Sequence, residues 1–245
     1  MEQHIAVVTG VSKGIGEAIG NKFENESIKV IGFSRTPPKG KCTYWIQGDI
    51  TVKEDRERFK NEVLKKFGRI DVLVNNAGMG LIDTWEETKL DDLRKIFELN
   101  FFSLVDITKS FIPELKKSKG TIINVSSFLG KSSIACMGGY CATKFAVNAF
   151  SDSLRMELKP YGVHVLNLIV GLTDTSFKTN CLGSRKMPVF PSIGNPNTLA
   201  NKVYQAFLKR KKEIFYPGWY YYMLAFIRLF PGLNEDMNIK QWNLK

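Results

Sequence analysis

The feature that most constrains this chain is a short apolar run, Ile5 to Val8, that passes without a spacer into Thr9-Gly10-Val11-Ser12-Lys13-Gly14-Ile15-Gly16. Four apolar residues bounded by turn formers read as a buried strand. The glycines permit a tight turn, and Ala18, Ile19 and Phe23 then fall on one face of a helix. A strand followed at once by a turn and a helix opens a crossover, which brings the next strand back parallel to the first.

The alternation continues. Lys29 to Phe33 reads as a second strand, broken by Thr36-Pro37-Pro38-Lys39-Gly40, and Thr43 to Gln47 as a third. Thr51 and Glu54 have capping-box spacing ahead of a helix with Phe59, Val63, Leu64 and Phe67 on one stripe. Asp71 to Val74 and Thr121 to Val125 are further strands, with one long helix expected from Leu90 to about Leu115 between them. Tyr140 to Leu158 reads as a helix stopped near Pro160, followed by a strand over Val163 to Val170. Asn195-Pro196 opens another helix, and Glu213 to Tyr216 fits a last strand. Near-continuous apolar strands separated by helices predict a parallel sheet covered on both faces. The expected fold is therefore α/β, a doubly wound, Rossmann-like parallel sheet. It forms a single domain over residues 1–245 with a substrate loop or lid at about 172–196 and a helical, aromatic C-terminal tail at 217–245. Ligands in such sheets bind beyond the carboxyl ends of the strands.

Composition narrows the chemistry. Hydrophobic residues at 44% and charged residues at 24% exclude a disordered chain. The net charge of +11 attracts anions without choosing among them. Cys42, Cys136, Cys141 and Cys181 form no C-x-x-C pair, and with only His4 and His164 beside them no metal site is expected. The longest apolar run, Tyr220 to Ile227, falls far short of the ~20 residues of a membrane span. With no signal-peptide pattern at the start, the expectation is a reduced, cytoplasmic protein.

The glycine turn suits a phosphate. Close backbone approach and the free N–H groups of a helix start favour an anion, which makes Gly10, Ser12, Lys13, Gly14, Ile15 and Gly16 candidate cofactor-binding residues. Their spacing is neither G-x-G-x-x-G nor the P-loop pattern. The second strand ends in Phe33-Ser34-Arg35, with no carboxylate to hold the ribose of NAD. A guanidinium there can grip a 2′-phosphate, and Lys13 can assist it, so NADP(H) is the expected cofactor.

These residues, taken with others in order, resemble the short-chain dehydrogenase/reductases over about Ile5 to Thr175. The resemblance rests on Thr9-Gly10-x-x-x-Gly14-x-Gly16, Asp49, Asn75-Asn76-Ala77-Gly78, Asn100, Ser127 and Tyr140-x-x-x-Lys144, with 13 positions from Ser127 to Tyr140. It implies an oxidoreductase interconverting a carbonyl and a secondary alcohol, with Asn100, Ser127, Tyr140 and Lys144 as the catalytic set. Tyr140 is then the proton donor in reduction, Lys144 also holds the nicotinamide ribose, and Asn100 fixes a water. Asp49 and Ile50 lie beside adenine, Asn76, Ala77 and Gly78 line the cofactor path, and Thr173 and Thr175 hold the carboxamide. Val170 stands where the family usually has proline.

The chemistry agrees. Tyr140 and Lys144 share one helix face a turn apart. A neighbouring ammonium is expected to lower a phenol from about 10 by roughly 1–3 units, and Ser127 can hydrogen-bond the substrate oxygen. A catalytically silent, cofactor-binding scaffold is the rival reading, with no need of all four residues. Cys136, Cys141 and His164 read as packing residues. From Phe207 to Pro231, Lys209, Arg210, Lys211, Lys212 and Arg228 interleave with Phe215, Tyr216, Trp219, Tyr220, Tyr221, Tyr222, Phe226 and Phe230. This mixture fits a lid over a hydrophobic substrate, a dimer or tetramer contact, or a peripheral membrane contact, while a nucleic-acid partner is not expected.

Overall fold

The computed structural model describes residues 4–188 and 194–244, so residues 1–3, 189–193 and 245 of the expected domain, loop and tail lie outside the described residues. Strand β1 (Ile5–Thr9) is buried at every position and lies inside the sheet, not at an edge. Around it run β2 (Lys29–Ser34), β3 (Tyr44–Gln47), β4 (Val72–Asn75), β6 (Thr121–Val125), β7 (His164–Val170) and β9 (Glu213–Tyr216), in the order β3-β2-β1-β4-β6-β7-β9. The two-residue strands β5 (Gly80–Leu81) and β8 (Cys181–Leu182) form a separate small sheet. Every pairing is parallel, and Val7 stands opposite Ile31 on one side and Leu73 on the other.

The helices are α1 (Gly14–Asn25), α2 (Lys53–Phe67), α3 (Leu90–Phe97), α4 (Ser103–Ser118), α5 (Gly138–Leu158), α6 (Pro196–Leu208), α7 (Tyr220–Leu229) and α8 (Pro231–Gln241). Successive strand residues face opposite sides. Ala6 and Val8 therefore pack with Ile19, Phe23 and Val203 of α1 and α6, whereas Ile5 and Val7 pack with Phe59, Phe111 and Leu154 of α2, α4 and α5. The expected doubly wound sheet is present, and its strand order reverses between β1 and β4, where the glycine turn emerges.

Two local expectations fail. The helix expected from Leu90 to Leu115 is interrupted by a π-helical segment, Glu98–Phe102, between α3 and α4. This segment holds Asn100 fully buried, where its side chain bonds both backbone groups of Met79. The capping box also does not form. Val52, in extended backbone, precedes α2, and the Thr51 hydroxyl donates instead to Asp49 Oδ1 at 2.8 Å. Asp49 Oδ1 also accepts from the Thr51 N–H in an Asx-type turn, and Val52 rather than Thr51 holds the capping position. The cap at α6 does form, with Asn195 Oδ1 accepting from the N–H groups of Asn197 and Thr198.

The segment after β7 is tied down in part. Beyond Ser176–Thr179, a short 3₁₀ turn, β8 pairs with β5. Asp83 accepts from both the backbone N–H and the hydroxyl of Ser184, and Arg185 makes a bidentate bridge to Glu87. The charged pairing holds the Glu87 carboxyl down to about 2. The tail becomes α7 and α8, with Tyr220 and Leu224 packed on Phe128 and Ile169.

Candidate active site

A cleft of about 810 Å³ opens at the carboxyl ends of the strands. Its walls include Gly10, Ser12, Lys13, Gly14, Ile15, Ser34, Arg35, Asp49, Ile50, Asn76, Ala77, Gly78, Ser127, Tyr140, Lys144, Thr173 and Thr175. Thus the fold brings together residues that lie up to 165 positions apart, from Gly10 to Thr175. Gly16 and Asn100 alone among the expected site residues do not line it, and each acts from behind the wall.

At one end the glycine turn is stapled to the loop after β4. Asn76 Nδ2 donates to the carbonyls of Thr9 and Gly10, both at 3.0 Å, and Thr9 Oγ1 accepts from the N–H groups of Asn76 and Ala77. Gly10 and Gly14 have φ of 67° and 65°, which favours glycine. A Cβ on Gly16 would stand 2.3 Å from the Gly10 carbonyl oxygen and 2.4 Å from Asn76 Nδ2. No side chain caps the start of α1, whose first residues Gly14 and Ile15 line the cleft. Such a glycine-lined cradle at a helix start fits the pyrophosphate of a dinucleotide. Arg35 and Lys13 border the same region, and Arg35 lies 3.9 Å from the Asp49 carboxylate.

At the other end stand the acid–base candidates. Tyr140 and Lys144, on α5, are both buried. Lys144 Nζ donates to the Val125 carbonyl at 2.9 Å and lies 5.8 Å from the Tyr140 ring centre. Burial pulls this ammonium down to about 8. Burial also pushes the Tyr140 phenol well above its ordinary value, while its hydrogen bond with Ser127 works the other way. The expected lowering by the ammonium is not found: desolvation raises the phenol, and the Ser127 hydrogen bond is what opposes it. Ser127 Oγ accepts from the Leu129 N–H at 3.1 Å, which fixes its position after β6. The neighbouring Ser126 hydroxyl donates to the Lys144 carbonyl.

Asn100 Nδ2 donates to the Met79 carbonyl at 2.9 Å and to Thr143 Oγ1 at 3.1 Å, and Asn100 Oδ1 accepts from the Met79 N–H. A Cβ on Gly78 would sit 3.1 Å from Asn100 Oδ1 and 3.7 Å from Lys144 Nζ. The amide thus braces the loop that faces Lys144. Thr175 Oγ1 accepts from the Phe177 N–H, and Thr173 bridges to Gly194. Despite Val170 in place of proline, β7 keeps its register with Tyr216 to the last residue. Cys136 and Cys141 are buried packing residues whose thiols are raised by desolvation, and His164 bonds the Lys211 carbonyl at 2.8 Å.

The wall beyond Tyr140 comes from Met79 and from the expected loop and tail, whose lining residues the sequence did not single out as such. Phe177 lies 5.5 Å from the Tyr140 ring, centre to centre. Met79, Leu182 and Met187 line the cleft from the loop and lid, and Tyr220, Met223 and Ile227 line it from α7. One signal was present: Gly171 leaves space for the Tyr220 ring, which a Cβ would approach to 2.5 Å. Asp49 is the only carboxylate on the cleft wall among the described residues. No group of His, Cys, Asp and Glu among the described residues is arranged to hold a metal.

Comparison with known proteins shows the family and the fold. L-fucose dehydrogenase of Bos taurus is 34% identical over 169 residues, covering 66% of this chain and 63% of that protein. The NADPH-dependent 1-acyldihydroxyacetone phosphate reductase of Schizosaccharomyces pombe is 31% identical over 199 residues, covering 77% and 66%. The chain thus spans about two thirds or less of the length of these relatives. A short-chain dehydrogenase from Streptomyces avermitilis superposes with a TM-score of 0.80 at 27% identity, covering 95% of this chain and 97% of that one. The short chain dehydrogenase family profile matches residues 4–183, which include the glycine turn, Ser127, Tyr140 and Lys144, and the chain belongs to that family.

Proposed function

We propose that the protein is an NADP(H)-dependent reductase of a hydrophobic ketone or aldehyde, with Tyr140 as the proton donor. The observation that carries this reading is the single cleft that has the glycine cradle and Arg35 at one end and buried Tyr140, Ser127 and Lys144 at the other. When bound, the dinucleotide supplies a hydride to the carbonyl carbon. Ser127 and Tyr140 hydrogen-bond the carbonyl oxygen, and Tyr140 delivers its proton there as negative charge develops. Lys144 places positive charge beside the phenol as the proton leaves. Asn100 keeps the Met79 loop in place from behind.

Arg35 and Lys13 support a 2′-phosphate on the cofactor, as does the NADPH dependence in the name of the Schizosaccharomyces pombe relative. Met79, Phe177, Leu182, Met187 and Met223 favour an apolar substrate body. The relatives' names range from a sugar to an acylated ketone, so the wall composition is the stronger guide. We also infer self-association as a dimer or tetramer, supported by the exposed Phe145 and Met156 on α5.

The test is NADPH oxidation across a panel of ketones and aldehydes, repeated with Tyr140→Phe. The expected result is a loss of about 10²–10⁴-fold in kcat. Undiminished turnover would exclude Tyr140 as the acid.

A further inference from the structure

Nine of the 17 exposed large hydrophobic side chains among the described residues fall between Trp219 and Ile239. Helix α7 is apolar nearly all round, and Arg228 is its one charge. Tyr220 and Leu224 pack inward, but Tyr221, Tyr222 and Leu229 are left 60–75% exposed. On α8, which touches α7, Leu233, Met237 and Ile239 are exposed as well. A helix apolar on its outer face needs a cover.

Three observations identify the cover. First, the patch is rich in Tyr and Trp, whose rings combine an apolar body with a polar tip and suit a boundary between lipid and water. Second, the patch is electrically neutral: residues 217–244 contain Arg228, Lys240, Glu235 and Asp236. The basic run Lys209 to Lys212 lies at the other end of β9, where Arg210 bonds the Gly162 carbonyl and the Lys212 carbonyl accepts from Asn167. Third, Trp219, Phe226 and Met237 line the cleft while remaining 48%, 49% and 66% exposed. Patch and cleft are therefore joined through these apolar side chains, with Asn234, Asn238 and Gln241 of α8 beside them on the cleft wall. A second protein copy seated there would close that opening, whereas a lipid surface would extend it.

We propose that the outer faces of α7 and α8 dock on a neutral lipid surface and turn the cleft toward it, so that an apolar ketone enters from the lipid. No helix among the described residues is long and apolar enough to cross a membrane, so the contact lies in the plane of the interface. The entry of substrate rests on the reductase reading above, but the docking does not.

The full chain is floated with neutral phosphatidylcholine vesicles in low and high salt, beside a Tyr222→Glu/Leu229→Glu variant. Neither side chain lines the cleft, and both are exposed, so folding is preserved. The expected result is co-flotation in both salts, reduced about tenfold or more by the variant, with an unchanged melting curve and unchanged turnover of a short, water-soluble ketone. Absence of wild-type flotation, or equal flotation of the variant, overturns the proposal. So does binding that requires anionic lipid and vanishes in high salt, which would assign it to the basic charge. A wild-type dimer that becomes monomeric in the variant would assign the face to a second copy. Flotation without reduction of any ketone upholds the docking and rejects the reductase reading alone.

Discussion

The Tyr140–Lys144 pair has opposite shifts with a single cause. Burial disfavours charge on both groups, so the phenol rises and the ammonium falls to about 8. A raised phenol keeps its proton for reduction. The ammonium beside it is lost as pH rises through about 8, so the rate of ketone reduction is expected to fall over that range, read from kcat/KM against pH. Stability moves the other way. Between the buried value near 8 and the ordinary value of 10.5, the unfolded chain holds more protons at this lysine, and the folded state gains with rising pH. Lys144→Met removes the burial penalty. Its stability advantage over wild type should shrink, by up to about 3 kcal/mol, as pH climbs across that window in urea titrations. The set Asn100, Ser127, Tyr140 and Lys144 came from the family resemblance, and only the placing of Tyr140 and Lys144 on one helix face a turn apart follows from geometry. The direction of the phenol's shift was not legible in the sequence, because part of its cover, including Phe177, arrives from a distant lid.

Among elements, the turn into α1 is the least tolerant of change. The Cβ of Gly16→Ala would meet a backbone oxygen that cannot rotate away. We expect a loss of about 1–3 kcal/mol in chemical denaturation, with weaker dinucleotide binding by fluorescence titration. This element was readable because strand, glycines and helix are contiguous. The Leu90 to Leu115 stretch was misread because a π-helical segment retains helical periodicity on either side, and only the tertiary bond from Asn100 to Met79 reveals it. The β5–β8 pairing was invisible for a different reason: two-residue strands carry no period, and their partners lie about a hundred positions apart.

At the scale of the molecule, the parallel sheet followed from runs of apolar residues buried on both faces. The helices of the tail were expected, but the surface its rings serve was left open, because side chains of α7 line the cleft and also stand exposed at its rim. If the cradle holds a 2′-phosphorylated dinucleotide, NADPH at about 100 times its Kd should raise Tm by roughly 5–10 °C. NADH at the same concentration should raise it less, and Arg35→Glu should erase the difference in a thermal melt. Equal shifts from both nucleotides in the wild-type protein would remove the 2′-phosphate preference.

The staple between Thr9 and Asn76 has a consequence for biosynthesis. Its halves are 67 positions apart and meet only when β1 and β4 lie side by side. A ribosome-bound chain that has exposed the glycine turn, but not yet the fourth strand, lacks half of the nucleotide's seat. Emergence of that strand requires several further seconds at ~5–20 residues per second. Capture of the nucleotide would thus report during translation that the centre of the sheet has closed.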